Sequence, residues 1–158
     1  MRRIVACLLI SFFLSACATT SYKKIDSWGY GYQETQLQPD VYRVDYEGSV
    51  DTDVPTVKDF ALLRCAELTL QKGYKFFIIL DAKSSTKVSV VTVPSVYQKP
   101  FDSYIQPSPY DMTTVDAFSE PSLSNTIQCF KEKPSNLNTL VYDAQKIQEN
   151  IKSKHKLN

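Results

Sequence analysis

Few side chains in this sequence are suited to chemistry. The chain has four cysteines and a single histidine. That histidine, His155, sits in KSKHKLN near the end, where no rigid element is expected to hold it as a base for a serine or cysteine nucleophile. Cys65 and Cys129 are the thiols of the main body. In an oxidising compartment they read as a disulfide pair, and closing a loop of about 65 residues is credited with roughly 4 kcal/mol. Two separate buried thiols, a metal pair and a redox-active pair are the competing readings. Metal is disfavoured, because two thiolates alone rarely complete a closed site. Arg64 and Glu67 stand three apart, the spacing of an ion pair on a helix surface worth a few tenths of a kcal/mol. Alternatively, Arg64 reaches across to a strand bearing Arg43 and Asp45. Asp51 and Asp53 are not followed by an EF-hand loop, so a turn and helix-dipole role is expected of them. Paired carboxylates for glycan cleavage fall in no evident cleft. With four glycines in the whole chain, no phosphate-cradling loop is possible, and neither a cofactor nor a metal is expected.

Cys17 is a different case. It follows MRRIVACLLISFFLSA: two arginines, then an almost unbroken apolar run from Ile4 to Leu14, then small residues. A spanning helix needs roughly 20 apolar residues, so this run is too short to remain in a membrane and reads as a secretory signal. Leu14-Ser15-Ala16-Cys17 resembles the lipobox of bacterial lipoproteins. The resemblance implies that the Cys17 thiol takes a diacylglycerol, that residues 1–16 are removed, and that the new amino group is acylated. Sulfur is nucleophilic enough to accept the lipid, and the small residues at 15 and 16 let a peptidase reach the backbone. Several acyl chains hold where one holds only marginally. By the sorting rules of such lipoproteins, Ala18 in place of aspartate implies delivery to the outer membrane.

These residues must be positioned by one domain, since 158 residues suffice for one and not comfortably for two. Loss of Arg2 and Arg3 with the signal leaves sixteen basic against seventeen acidic side chains, so a basic nucleic-acid groove is not expected. Residues 17–28 read as a lipidated polar tether. Tyr42, Val44 and Tyr46 alternate with Arg43 and Asp45 as on a strand. VPTVKDFALLRCAELTLQKGY reads as a helix, with Thr56 and Asp59 at capping-box spacing, Cys65 on the buried stripe and Gly73 at the stop. Phe76–Leu80 reads as an interior strand and KVSVVTV as another, with residues 84–86 as the turn between them. Residues 94–123 hold five prolines and scattered aromatics, and read as one long loop. SNTIQCFKE is the last strand expected, and LNTLVYDAQKIQENI a final amphipathic helix. Residues 152–158 read as a frayed basic tail.

The order β-α-β-β-loop-β-α predicts an α+β fold, a two-layer sandwich with a mixed or antiparallel sheet of about four strands and two helices on one face. A bond between Cys65 and Cys129 would then staple the layers. VYRVDYEGSV and FALLRCAELTLQKGYKFFIILD, with a distant YDAQKI, resemble a family of small uncharacterised bacterial lipoproteins. The shared skeleton is Tyr42-Arg43-Val44, Tyr46 and Gly48, then Leu63-Arg64, Ala66-Glu67-Leu68-Thr69, Gly73-Tyr74 and Phe77. It covers residues 30–82 well and the last helix weakly. That resemblance implies a periplasm-facing domain, here residues 29–151, and supplies no reaction. The expected function is non-enzymatic: an outer-membrane lipoprotein binding a protein or envelope component through the Pro/Tyr-rich loop, with Tyr97, Tyr104 and Tyr110 as candidate contacts; the competing reading of those rings is that they pack onto the domain's own open sheet face. The alternatives are an envelope hydrolase acting on glycan or peptidoglycan through carboxylates, and a redox protein using Cys65 and Cys129.

Overall fold

The computed structural model describes residues 21–93 and 114–157. Seven elements follow in order: β1 (Gly31–Gln38), β2 (Val41–Glu47), α1 (Val54–Gln71), β3 (Phe76–Val93), β4 (Thr114–Phe130), β5 (Tyr142–Asp143) and α2 (Ala144–His155). The fold is α+β. Its one sheet has the order β1-β2-β4-β3-β5, with every pairing antiparallel.

Alternation on β2 puts Tyr42, Val44 and Tyr46 inside and leaves Arg43 exposed. Ile127 and Cys129 of β4 and Phe77 of β3 join them against Cys65, Ala66 and Leu68 of α1. A second cluster, Tyr46, Val57, Phe60 and Ala61, lies toward the start of α1. Asp53 caps α1, its carboxylate accepting from the Thr56 amide at 3.0 Å. At the other end Gly73 takes a left-handed φ of +80°, with Gly73 N–H donating to Leu70 and Tyr74 N–H to Thr69. That is the two-bond stop only glycine adopts cheaply.

The structure departs from the sequence reading at several places. The sheet has five strands: β1 carries few apolar residues, and β5 is only two residues long. Residues 84–86 make no turn. They pair with Leu123, Ser122 and Pro121 inside one continuous β3. Residues 114–123, assigned to the long loop, belong to β4. The last helix starts at Ala144, not near 137, because Asp143 caps it through the Lys146 amide. It then runs to His155, so most of the expected basic tail is helical. It packs mainly along α1. Asp59 does not share a capping box with Thr56 and bonds Lys154 and His155 instead.

A further departure concerns the tether. From residue 21 onward the expected polar leash is seated on the body. The Tyr22 ring lies 5.1 Å from that of Tyr32 and 5.3 Å from that of Phe60. Tyr32 N–H donates to the Lys23 carbonyl at 2.9 Å, and Ile25 N–H to the Tyr32 carbonyl at 2.8 Å. Gly31 permits this approach: a Cβ there would stand 2.6 Å from the Lys23 oxygen.

Candidate functional site

Arg64 is 6% exposed, although it carries a charge. A buried guanidinium must have its donors occupied. Its Nε and Nη2 meet the two oxygens of Glu34 on β1 at 3.3 and 3.0 Å, Nη1 meets Glu67 at 3.2 Å, and Nη2 meets the Gln71 amide oxygen at 3.1 Å. The guanidinium also lies 4.4 Å from the centre of the Tyr32 ring. The Tyr22 hydroxyl donates to Glu67 at 2.6 Å, and Lys152 of α2 stands 3.7 Å from the same carboxylate. Burial works against the Arg64 cation, but the hydrogen bonds and charge of Glu34 outweigh it and hold the pKa above its ordinary value. Burial, and then the bond to Glu67, push the Tyr22 phenol well up.

The expected pairing of Arg64 with Glu67 is therefore present, but inside the protein. The alternative reach toward Arg43 and Asp45 is not made: those two pair with each other at 3.4 Å. Glu34 was missed in the sequence, because nothing in QETQLQ marks a strand or a partner thirty residues on. Beside the network, Glu34, Gln36, Tyr42, Leu68, Gln71 and Lys72 line an open groove of about 330 Å³. Two of its rim groups, Glu34 and Gln71, are already committed to Arg64.

Cys65 and Cys129 face each other's layers as anticipated, and both are free, buried thiols, so the expected bond is not formed here. Thr69 lies between them. Its hydroxyl donates to the Cys65 carbonyl at 2.7 Å, which leaves its oxygen to accept from Cys129 Sγ at 3.5 Å. Asn125 of β4 donates to Cys65 Sγ at 3.9 Å. These two contacts bridge helix and sheet where a disulfide was expected to do so. Burial pushes the Cys65 thiol up to about 12 and the Cys129 thiol upward too, which suppresses the thiolate that redox exchange requires.

His155 is held more firmly than its sequence context suggests. Its ring lies 4.8 Å from that of Phe60, and Nε2 is 2.7 Å from Asp59 Oδ2, which Lys154 also meets at 2.6 Å. Partial burial tends to raise the Asp59 pKa, but Lys154 and His155 outweigh it and hold the carboxyl below its usual range. An acid and its imidazole are thus engaged with each other as a clasp between α2 and α1. Among the described residues no cluster of three or more histidine, cysteine or acidic side chains could hold a metal ion.

The remaining candidate is an arm. β2 pairs with β4 only as far as Glu47 opposite Ser122. Beyond that, Thr86–Val93 and Thr114–Pro121 pair with each other alone among the described strands. Seven further steps at roughly 3.3 Å carry this ribbon about 23 Å past the sheet. Val88 on it is 62% exposed and Phe118 44% exposed. Val93 and Thr114 are paired, so residues 94–113 connect the far ends of the two strands. Tyr97, Tyr104 and Tyr110 fall in that connection and, like Cys17 and residues 1–16, lie outside the described residues. Among the described residues no helix is long and apolar enough to cross a membrane.

No family model, no curated protein and no solved structure matches this chain.

Proposed function

We propose that this chain is a lipid-anchored bacterial envelope protein that acts by binding and not by catalysis. Cys17 carries the acyl chains, the body faces the periplasm from the outer membrane, and the β3–β4 arm presents residues 94–113, with Tyr97, Tyr104 and Tyr110, to an envelope protein. The observation that carries this reading is the arm itself. A two-stranded ribbon adds little stability on its own, and this one extends far past the sheet with apolar side chains in solvent. Such a feature is retained for contact more readily than for folding. Among the described residues, the acids that meet a base or a buried cation are paired within the fold: Asp59 with His155, and Glu34 and Glu67 with Arg64.

Two measurements test it. Labelled palmitate should appear on the protein and disappear in Cys17→Ser, with loss of membrane fractionation; an unlabelled wild-type chain would end the anchoring reading. A photo-crosslinker at position 104 in intact cells should capture one defined partner, while the same group at Arg43 on the sheet's open face should not. Equal capture at both positions would remove the arm from the proposal. Iodoacetamide separates the redox reading: Cys65 and Cys129 are expected to react only after unfolding, and ready alkylation of the native protein would favour redox chemistry.

A further inference from the structure

If Cys17 is lipidated, the bilayer must lie close to one particular end of the body. Tyr22 is held on the body by Glu67 and Tyr32, and the five residues from Cys17 to it span at most about 18 Å. Ser21 emerges between two tips. One is the turn Asp26–Tyr30. The other is the loop 48–53, which precedes α1. Ser21, Lys23, Tyr30, Ser49 and Thr52 line a shallow cavity of about 90 Å³ between them. The C-terminus of α2 and the root of the arm share this end: Leu157 packs into the Phe60 cluster, Gly48 N–H donates to the Pro121 carbonyl, and the Tyr30 hydroxyl donates to Glu120.

Each tip carries an apolar side chain into solvent. Trp28 is 81% exposed, Val50 is 45% exposed, and Val54 just beyond is 43% exposed. Trp28 is presented by a built turn, not a loose one. Asp26 Oδ1 accepts from the Trp28 and Tyr30 amides at 2.9 and 3.2 Å, and Gly29 N–H donates to the Asp26 carbonyl at 3.0 Å. Exposing an indole this fully is unfavourable in water and suited to a lipid–water boundary, where an apolar ring with one polar N–H is at home. The charges around the tips are largely balanced: Lys23 pairs with Asp26, Lys87 with Glu47, and Lys154 and His155 with Asp59.

We propose that this end is a bilayer-contact surface, with Trp28 and Val50 dipping into the headgroup region and fixing the orientation of the anchored body. The inference deepens the lipid-anchor reading and rests on it for the side that faces the membrane.

Trp28 is the only tryptophan in the chain, so its fluorescence reports this surface directly. The lipidated protein is placed in vesicles of phosphatidylcholine alone and in vesicles with added phosphatidylglycerol. Its emission is expected at shorter wavelength than that of unlipidated Cys17→Ser in buffer, quenched by phospholipids brominated in the upper acyl chain, and alike in both vesicle types and in high salt. Val50→Asp should lose much of the quenching while keeping native circular dichroism. Water-like, unquenched emission from protein that floats with the vesicles overturns the contact surface and leaves the anchor standing. Quenching of a wild-type chain found to carry no palmitate overturns the anchor and leaves the contact surface standing. A response confined to phosphatidylglycerol and lost in salt overturns the apolar mode proposed here. So does a Trp28 that is shielded only in whole envelopes, which identifies a protein as the occupant.

Discussion

The body and the arm are made from the same two strands and differ in what surrounds them. Between Phe76 and Ser85, β3 lies beside a stretch of β4 that β2 flanks on its other side, and α1 covers one face at Phe77, Ile127 and Cys129. Past Thr86 the ladder continues, but the flanking strand and the helix do not. A hydrogen-bonded ladder is therefore not what makes the body stable, since the arm has one too. Burial against a second layer, and closure of the polar groups buried with it, make the difference.

Mutation should expose this contrast most sharply at paired sites on the same strand. Phe77→Ala is expected to cost about 3–5 kcal/mol, and Val88→Ala to stay within about 0.5 kcal/mol, both read by chemical denaturation. Arg64→Ala should lose about 1–3 kcal/mol, because it takes from Glu67 one of its partners, leaving Tyr22 and Lys152, and leaves Glu34 unpaired at the surface. Comparable losses at Val88 and Phe77 would mean that the arm is packed against something in solution, and the division into two regions would fail.

Tyr22 tests where the body begins. Tyr22→Phe removes a donor from a half-buried carboxylate and should cost about 1–3 kcal/mol at neutral pH. Its sign with pH is distinctive. The folded phenol has a raised pKa, so its contribution is fully present below about pH 10, where the unfolded phenol titrates, and is lost as pH rises toward the folded value. Wild-type stability should decline above that point, and the Tyr22→Phe protein should decline less. An identical alkaline slope in both would place Tyr22 off the body and restore a free tether from residue 17.

What was legible in the sequence follows the same division. α1 could be read because its signals are local: the apolar stripe, the Gly73 stop and the acidic residues before it. Even there the cap proved to be Asp53, and Asp59 answers to residues 95 and 96 positions away. β2 could be read from strict alternation. β1 could not, since its partners lie on β2 and α1 and its own residues are mostly polar and exposed. The N-terminal segment looked like a leash because the surfaces that hold Tyr22 belong to Tyr32, Phe60 and Glu67. The arm was hidden by Pro121, which reads as a strand breaker. It stands where β4 has just lost its β2 neighbour, at an edge that tolerates proline. The cysteines were rightly placed on facing layers, yet their spacing could not reveal that Thr69 and Asn125 engage the two sulfurs.

A smaller effect is expected at the helix cap. Asp53→Ala should cost about 1 kcal/mol by freeing the Thr56 amide, and Asp53→Asn should recover most of it. Failure of asparagine to rescue would mean that the charge, not the hydrogen bond, matters at this end.

The smallest effect belongs to removing the arm. Lys87 and Glu120 face each other at its root, so residues 88–119 can be replaced by Asn-Gly, the pair that closes a two-residue hairpin with the right twist. The ordered pairs lost are outside the core, and a long connection is exchanged for a short one. Each halving of loop length recovers only about 0.6 kcal/mol, so the net change in stability should be within about 1 kcal/mol of zero. Palmitate labelling and membrane fractionation should be unchanged, while crosslinking to the partner should be lost, including from probes placed at the arm's root. A protein that unfolds without its arm would show that these residues are part of the core. A protein that keeps its crosslinks would move the binding surface to the groove beside Arg64.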